Sequence, residues 1–289
     1  MPELPEVEVT RQRIAPLLLG RAIAAVATTG PSYFFLTPPA RLRRALAGRR
    51  AGALERRGKY LVARLDDGSR LVLHLGMTGQ LFSSAVSSPR LLRASMRAAR
   101  CAGRGFTPDE HTHLRLRFVD AGPEIWMRDA RKFGKVLWLA PGASDERLER
   151  LGPDALAADG AALFAASRGR RVALKSFLLD QAVLAGVGNI YADEALFDAR
   201  VRPARAAGRV TRAEWERIAA ALRRVLARAI ETGGSSIRDY VGPDGRDGAY
   251  QDERRVYDRA GAPCPACAAP IRRRVIGARS SHYCPRCQR

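Results

Sequence analysis

The chain opens on a helical stripe. Val7, Ile14, Leu17 and Leu18 recur at helical spacing, Pro5 suits a first turn, and Glu6 and Glu8 favour the positive helix end. From about residue 22 to 140 the period shortens to two. The stretch "KYLVARLDDGSRLVLHLG" (59–76) is two apolar runs around Asp-Asp-Gly, which predicts a hairpin. In "HLRLRFVD" (113–120), Leu114, Leu116 and Phe118 take one face and Arg115 and Arg117 the other. "EIWMRD" and "KVLWLA" continue the alternation, so this half predicts an antiparallel sandwich or barrel.

After about 144 the helical period returns. "SDERLERLG" has a Ser cap, early acids and a closing Gly. "TRAEWERIAAALRRVLARAIETGG" places Glu214 three residues after Thr211, a capping box. Its apolar face runs through Trp215, Ile218, Leu222, Val225 and Ala229, and Gly233 ends it. Residues 234–257 are rich in Gly and Asp and read as a loop with few core positions. The pattern predicts an α+β multidomain protein, with a β domain giving way to a helical one near 140–150. No internal repeat is visible.

Composition adds a partner. Lys and Arg number 50 against 29 Asp and Glu, a net charge of +21 and a pI of ≈ 11.1. Such an excess predicts a polyanion, nucleic acid first, because neutralised phosphates release counterions. An Arg-rich surface of another purpose is the plainer alternative. Only Lys59, Lys132, Lys135 and Lys175 are lysines. Lys supplies a compact ammonium able to lose its proton, which Arg does not. Residues from about 83 to 110 are rich in Ser and Arg, with Arg90, Arg93, Arg97, Arg100 and Arg104 three or four apart. They read as a short basic helix or, preferably, a loop that is mobile unless DNA is bound. At 289 residues the chain suffices for two cores. No run of about 18 apolar residues predicts a membrane span, and cytoplasmic residence is the default expectation.

Cys264-x2-Cys267 and Cys284-x2-Cys287 have the spacing of a four-thiolate zinc site. Two disulfides are the alternative, disfavoured in a reducing compartment. One structural zinc would hold a tail too small for its own core. Arg272, Arg273, Arg274 and Arg279 lie between the cysteine pairs and would present cations to phosphate. Cys101 stands apart as a bystander.

Together, "MPELPEVE" (1–8), "RRGKYL" (56–61), "HLGMTG" (74–79), "RDARKFG" (128–134), "GVGNIYADEALF" (186–197) and the terminal cysteines resemble the bacterial formamidopyrimidine-DNA glycosylases, relatives of the endonuclease VIII enzymes. "PELPE" rather than "PEGPE" favours the first branch. The resemblance implies a β-sandwich domain with an N-terminal helix (1–142, with the insertion at about 83–110). It also implies a helix–two-turns–helix domain (143–258, with a flexible lesion loop at 234–257) and a zinc-finger ribbon (259–289).

The resemblance further implies a base-excision glycosylase and abasic-site lyase acting on oxidised purines in double-stranded DNA, monomeric and associated with the nucleoid. Pro2, freed by removal of Met1, is then the nucleophile and Glu3 the acid, with Glu6 as a second carboxylate orienting the amine or a water. Lys59 matches the lysine assigned proton transfer in β-elimination, and Arg279 the arginine of the second elimination. Because guanidinium barely deprotonates, charge stabilisation is the better role for Arg279. Met77, Arg131 and Phe133 match the set that fills the duplex after base extrusion. Ala130 and Lys132 stand where Pro and Arg are frequent. Arg170, Asn189 and His111 match DNA contacts, and Lys175 is expected near DNA. An endonuclease VIII-like preference for oxidised pyrimidines and a non-catalytic zinc-ribbon DNA-binding protein are the alternative readings.

Overall fold

The computed structural model describes residues 2–86, 107–236 and 240–289. The basic stretch from Arg90 to Arg104, Cys101 included, lies outside them. The chain forms two compact units that do not follow chain order. One comprises Met1–Glu146 with Gly233–Ala249, and the other Arg147–Thr232 with Tyr250–Arg289.

In the first unit, helix α1 (Leu4–Leu18) buries Leu4, Val7, Ile14 and Leu18. Among the described residues, two four-stranded antiparallel sheets follow. One is ordered β1 (Ile23–Thr28), β6 (Thr112–Phe118), β7 (Ile125–Arg128), β5 (Gln80–Ser83). The other is ordered β2 (Ala51–Arg57), β3 (Tyr60–Leu65), β4 (Arg70–His74), β8 (Lys135–Leu139). Ile23, Leu114, Leu116 and Met127 of the first sheet share one core with Leu61, Leu71 and Val136 of the second, which makes the pair a sandwich. The predicted hairpin is β3–β4, turned by Asp66, Asp67 and Gly68, where Gly68 adopts φ +81°. On β6 the expected alternation appears: Leu114, Leu116 and Phe118 are buried and Arg117 is exposed.

The segment after the long helix is less open than its composition suggests. Tyr240, Val241, Tyr250 and Val256 are all buried. Gly and Asp dominate the count there, but a few large residues decide the packing.

In the second unit, the long helix (Arg212–Glu231) starts on both bonds of the Thr211–Glu214 capping box and buries Trp215, Ile218, Leu222, Val225 and Ala229. Helices Leu174–Leu179 and Asn189–Asp198 flank two turns. Gln181 ties these turns, donating to the Leu179 and Val187 carbonyls and accepting from the Gly186 N–H. The final hairpin pairs β9 (Arg272–Ile276) with β10 (Arg279–Tyr283) across Gly277 and Ala278. Both turn residues have positive φ, +54° and +58°, as a tight two-residue hairpin requires. Phe197 packs with Val256, Cys264, Ile271 and Cys284. The fully buried Glu194 carboxylate accepts the backbone N–H groups of Arg255, Val256 and Tyr257 at 2.9, 2.9 and 2.8 Å.

Candidate active site and metal centre

Pro2 and Glu3 lie buried at the head of α1, with Glu3 1% exposed. Glu3 is the N-cap and exchanges capping-box bonds with Glu6. The Glu6 carboxylate accepts the Glu3 N–H at 2.7 Å through one oxygen and the Ser235 N–H at 2.8 Å through the other. The Tyr240 hydroxyl donates to the Glu6 carbonyl at 3.2 Å. Burial first, and then the Glu6 charge, push the Tyr240 phenol well above its usual range, so it stays a donor. Glu6 therefore holds backbone on both sides, a role its place in the sequence did not announce.

Lys59 occupies the two-residue β2–β3 turn with Gly58, whose φ is +56°. Neighbouring Arg56 donates to the Gly58 carbonyl at 3.1 Å and to Glu8 of α1 at 3.0 Å. Burial would raise the Glu8 carboxyl, but bonds from Arg11, Arg56 and Gln12 outweigh it and hold its pKa below the usual range. The Glu8–Arg56 pair thus links the helix bearing Pro2 and Glu3 to the turn bearing Lys59. The His74 ring lies tilted against Tyr60, with ring centroids 4.7 Å apart. Burial, reinforced by the charges of Lys59 and Lys135 and opposed by Asp129, pushes its pKa down to about 4. Sequence reasoning gave Glu8 a helix-end role only and missed Arg56 and His74, although "RRGKYL" and "HLGMTG" contain them.

Met77 sits in the turn after β4, half-buried. Phe133 is 42% exposed, with the Arg131 guanidinium 4.5 Å from its ring centroid. An exposed Phe is available to a ligand rather than to the core. The Tyr33 hydroxyl donates to the Arg131 carbonyl at 3.0 Å. His111 is partly exposed, its Nε2 3.6 Å from Glu110.

In the second unit, Asn189 opens its helix with its Oδ1 buried and lacking a hydrogen-bond partner among the described residues, and its Nδ2 3.5 Å from the Tyr257 hydroxyl. Arg170 and Arg279 are exposed. Lys175 is not. Its side chain is fully buried, 2.6 Å from Asp193 and donating to the Ser280 carbonyl at 2.7 Å. The expectation that Lys175 lies near DNA is corrected here: a fully buried ammonium cannot reach a surface phosphate.

Zinc–sulfur bonds of about 2.3 Å put tetrahedral sulfurs about 3.8 Å apart. The Cys264–Cys287 and Cys267–Cys284 sulfurs are 3.9 and 3.5 Å apart, and all four lie within 4.8 Å of one another. Disulfides, at about 2.05 Å, do not fit these separations. Four thiolates fill a zinc shell completely, so the ion fits a structural role and leaves no position for a reactant.

Models of known families match all three parts. The N-terminal domain of formamidopyrimidine-DNA glycosylase matches residues 1–136, the H2TH domain of that enzyme matches 151–241, and a zinc finger found in FPG and IleRS matches 261–289. Sandwich, helix–two-turns–helix and four-cysteine ribbon together define a zinc-ribbon DNA glycosylase. Curated formamidopyrimidine-DNA glycosylases of Alkalilimnicola ehrlichii and Ectopseudomonas mendocina are 44% and 43% identical over all of both chains. The MutM (Fpg) crystal structure from Thermus thermophilus is 39% identical with a TM-score of 0.83, covering 99% of this chain and 98% of that one. Lactococcus lactis Fpg in complex with abasic-site DNA is 29% identical with a TM-score of 0.83, covering 99% of each. The chain belongs to the formamidopyrimidine-DNA glycosylase family.

Proposed function

We propose that this glycosylase removes oxidised purines, 8-oxoguanine and formamidopyrimidines, from duplex DNA and then cuts the strand through a covalent Pro2 intermediate. The observation that carries the reading is the Glu3 carboxyl buried beside Pro2 at the positive end of α1. With Met1 removed, Pro2 is a secondary amine titrating near about 8, so a useful fraction is neutral at pH 7. Its lone pair attacks C1′ of an extruded nucleotide. The glycosidic bond breaks, and its electron pair leaves with the base, which takes up the proton that the Pro2 nitrogen gives up. Glu3 protonates the sugar ring oxygen as the C1′–O4′ bond opens, leaving an iminium between Pro2 and C1′. The iminium acidifies the C2′ proton. Its loss expels the 3′ phosphate, a second elimination expels the 5′ phosphate, and water then frees Pro2. Lys59 moves protons in the first elimination, and Arg279 stabilises phosphate charge in the second.

Met77, Arg131 and Phe133 occupy the vacated stack, Arg131 pairing with the orphaned base. His111, Arg170 and Asn189 bind phosphates. Zinc, held by Cys264, Cys267, Cys284 and Cys287, supplies folding of the ribbon alone. Relatives crystallised on Fapy-dG and abasic-site DNA support the substrate class.

The test is borohydride trapping on duplexes bearing 8-oxoguanine opposite C or an oxidised pyrimidine, with the Pro2 terminus verified. The reading predicts a Pro2 adduct and faster excision of the purine. Faster pyrimidine excision would favour the endonuclease VIII-like alternative, and no adduct would leave a DNA-binding protein without catalysis.

A further inference from the structure

Two loops cross from one sheet of the sandwich to the other. Residues 75–79 join β4 to β5, and residues 129–134 join β7 to β8. The first carries Met77 and the second carries Arg131 and Phe133. Their backbones touch so closely that a Cβ on Gly76 would fall 2.4 Å from the Gly134 nitrogen.

One carboxylate joins them. Asp129 is fully buried. Its Oδ1 accepts the Thr78 hydroxyl from the first loop and the Arg131 N–H, at 3.2 Å, from the second. Its Oδ2 accepts the Gly134 N–H at 2.6 Å. Its carbonyl accepts the Lys132 N–H at 3.2 Å and meets His113 Nε2 at 3.0 Å. Lys132 adopts φ +57°, uncommon for a residue with a Cβ, and this web holds it there. Three donors converge on the carboxylate, so only a pure acceptor satisfies them all. An amide would set its own N–H against one of them.

We infer that Thr78 and Asp129 are positioning residues that hold Met77 in register with Arg131 and Phe133, and so set the discrimination for the base opposite the lesion. The inference rests on the reading that these three side chains enter the duplex. Thr78 is the sensitive member: the hydroxyl is the side-chain tie between the loops, and Val replaces it at nearly equal volume.

The experiment compares Thr78→Val, Thr78→Ser, Asp129→Asn and the control Arg131→Ala in the full-length, Pro2-terminated protein. It measures single-turnover excision of 8-oxoguanine opposite C and opposite A, and cleavage of single-stranded abasic DNA, which has no opposite base to read. Thr78→Val should lower the C-to-A ratio about fivefold, the size of one lost hydrogen bond, with single-strand cleavage within about twofold of wild type. Asp129→Asn should do the same or more, and Thr78→Ser should restore the ratio. If Arg131→Ala collapses the ratio while Thr78→Val preserves it, the inference fails and the intercalation reading stands. An unchanged ratio in Arg131→Ala overturns both. Equal losses on all substrates in Thr78→Val would show a merely structural bond and overturn the inference.

Discussion

The Lys175 ammonium lies 2.6 Å from the Asp193 carboxylate, and neither side chain has exposed surface. Asp193 also accepts the His282 N–H at 2.8 Å, so the pair fastens the ribbon hairpin to the helix Asn189–Asp198. Lys175→Met leaves a buried charge unpaired and should cost about 3–5 kcal/mol in urea unfolding. DNA affinity of the folded fraction should keep its salt slope. A contact to phosphate would instead lower that slope by about one.

Arg56, on β2, ties the Lys59 turn to Glu8 of α1. With Lys59 in its proposed proton-transfer role, small misplacements are costly, so Arg56→Met should slow strand cleavage at least about tenfold while base release falls less. Resolving free base from nicked strand in one time course checks this. Equal loss in both steps would assign Arg56 to stability alone.

His74 fixes a pH dependence. Its folded pKa of about 4 lies below the ordinary 6.5. Between these values the unfolded chain binds more protons, so stability falls as pH drops through that window, by at most about 1.4 kcal/mol per pH unit. Urea midpoints at pH 7 and 5 should diverge more for wild type than for His74→Gln. Parallel lines would mean that the imidazole is not held neutral.

The four thiolates predict one zinc per chain. Removing it, by a strong chelator or by Cys267→Ala, should unfold the ribbon, since structural zinc contributes about 10–16 kcal/mol in isolated peptides. Metal release measured alongside hairpin circular dichroism should coincide with loss of DNA affinity. Retained affinity in the metal-free protein would detach the ribbon from binding.

Local periodicity made the strands and the long helix legible, because Leu114, Leu116 and Phe118 or Trp215 and Ile218 report their own faces, and cysteine spacing did the same for the metal site. Motif resemblance located the residues around Pro2 and Lys59. Burial of charge was not legible. Lys175 was expected near DNA, whereas Asp193, eighteen positions on, takes it into the interior. Asp129 and Glu194 were silent, because their partners are backbone N–H groups or distant side chains, and the motifs that named Glu6 and Glu8 did not show Glu6 meeting Ser235 or Glu8 meeting Arg56. The return of Gly233–Ala249 to the first unit likewise depends on Glu6 and Tyr240 meeting across more than two hundred residues.

Glu194 makes the terminal ribbon poor material for grafting. Three amides just ahead of the first cysteine pair close onto a carboxylate that the ribbon does not own, and Phe197 covers its apolar side. Cut free and transplanted to another host, the peptide would still chelate its ion, yet it would show a bare greasy flank and lose the lead-in segment that the carboxylate holds. The finger is a limb of its helical neighbour and not an interchangeable part.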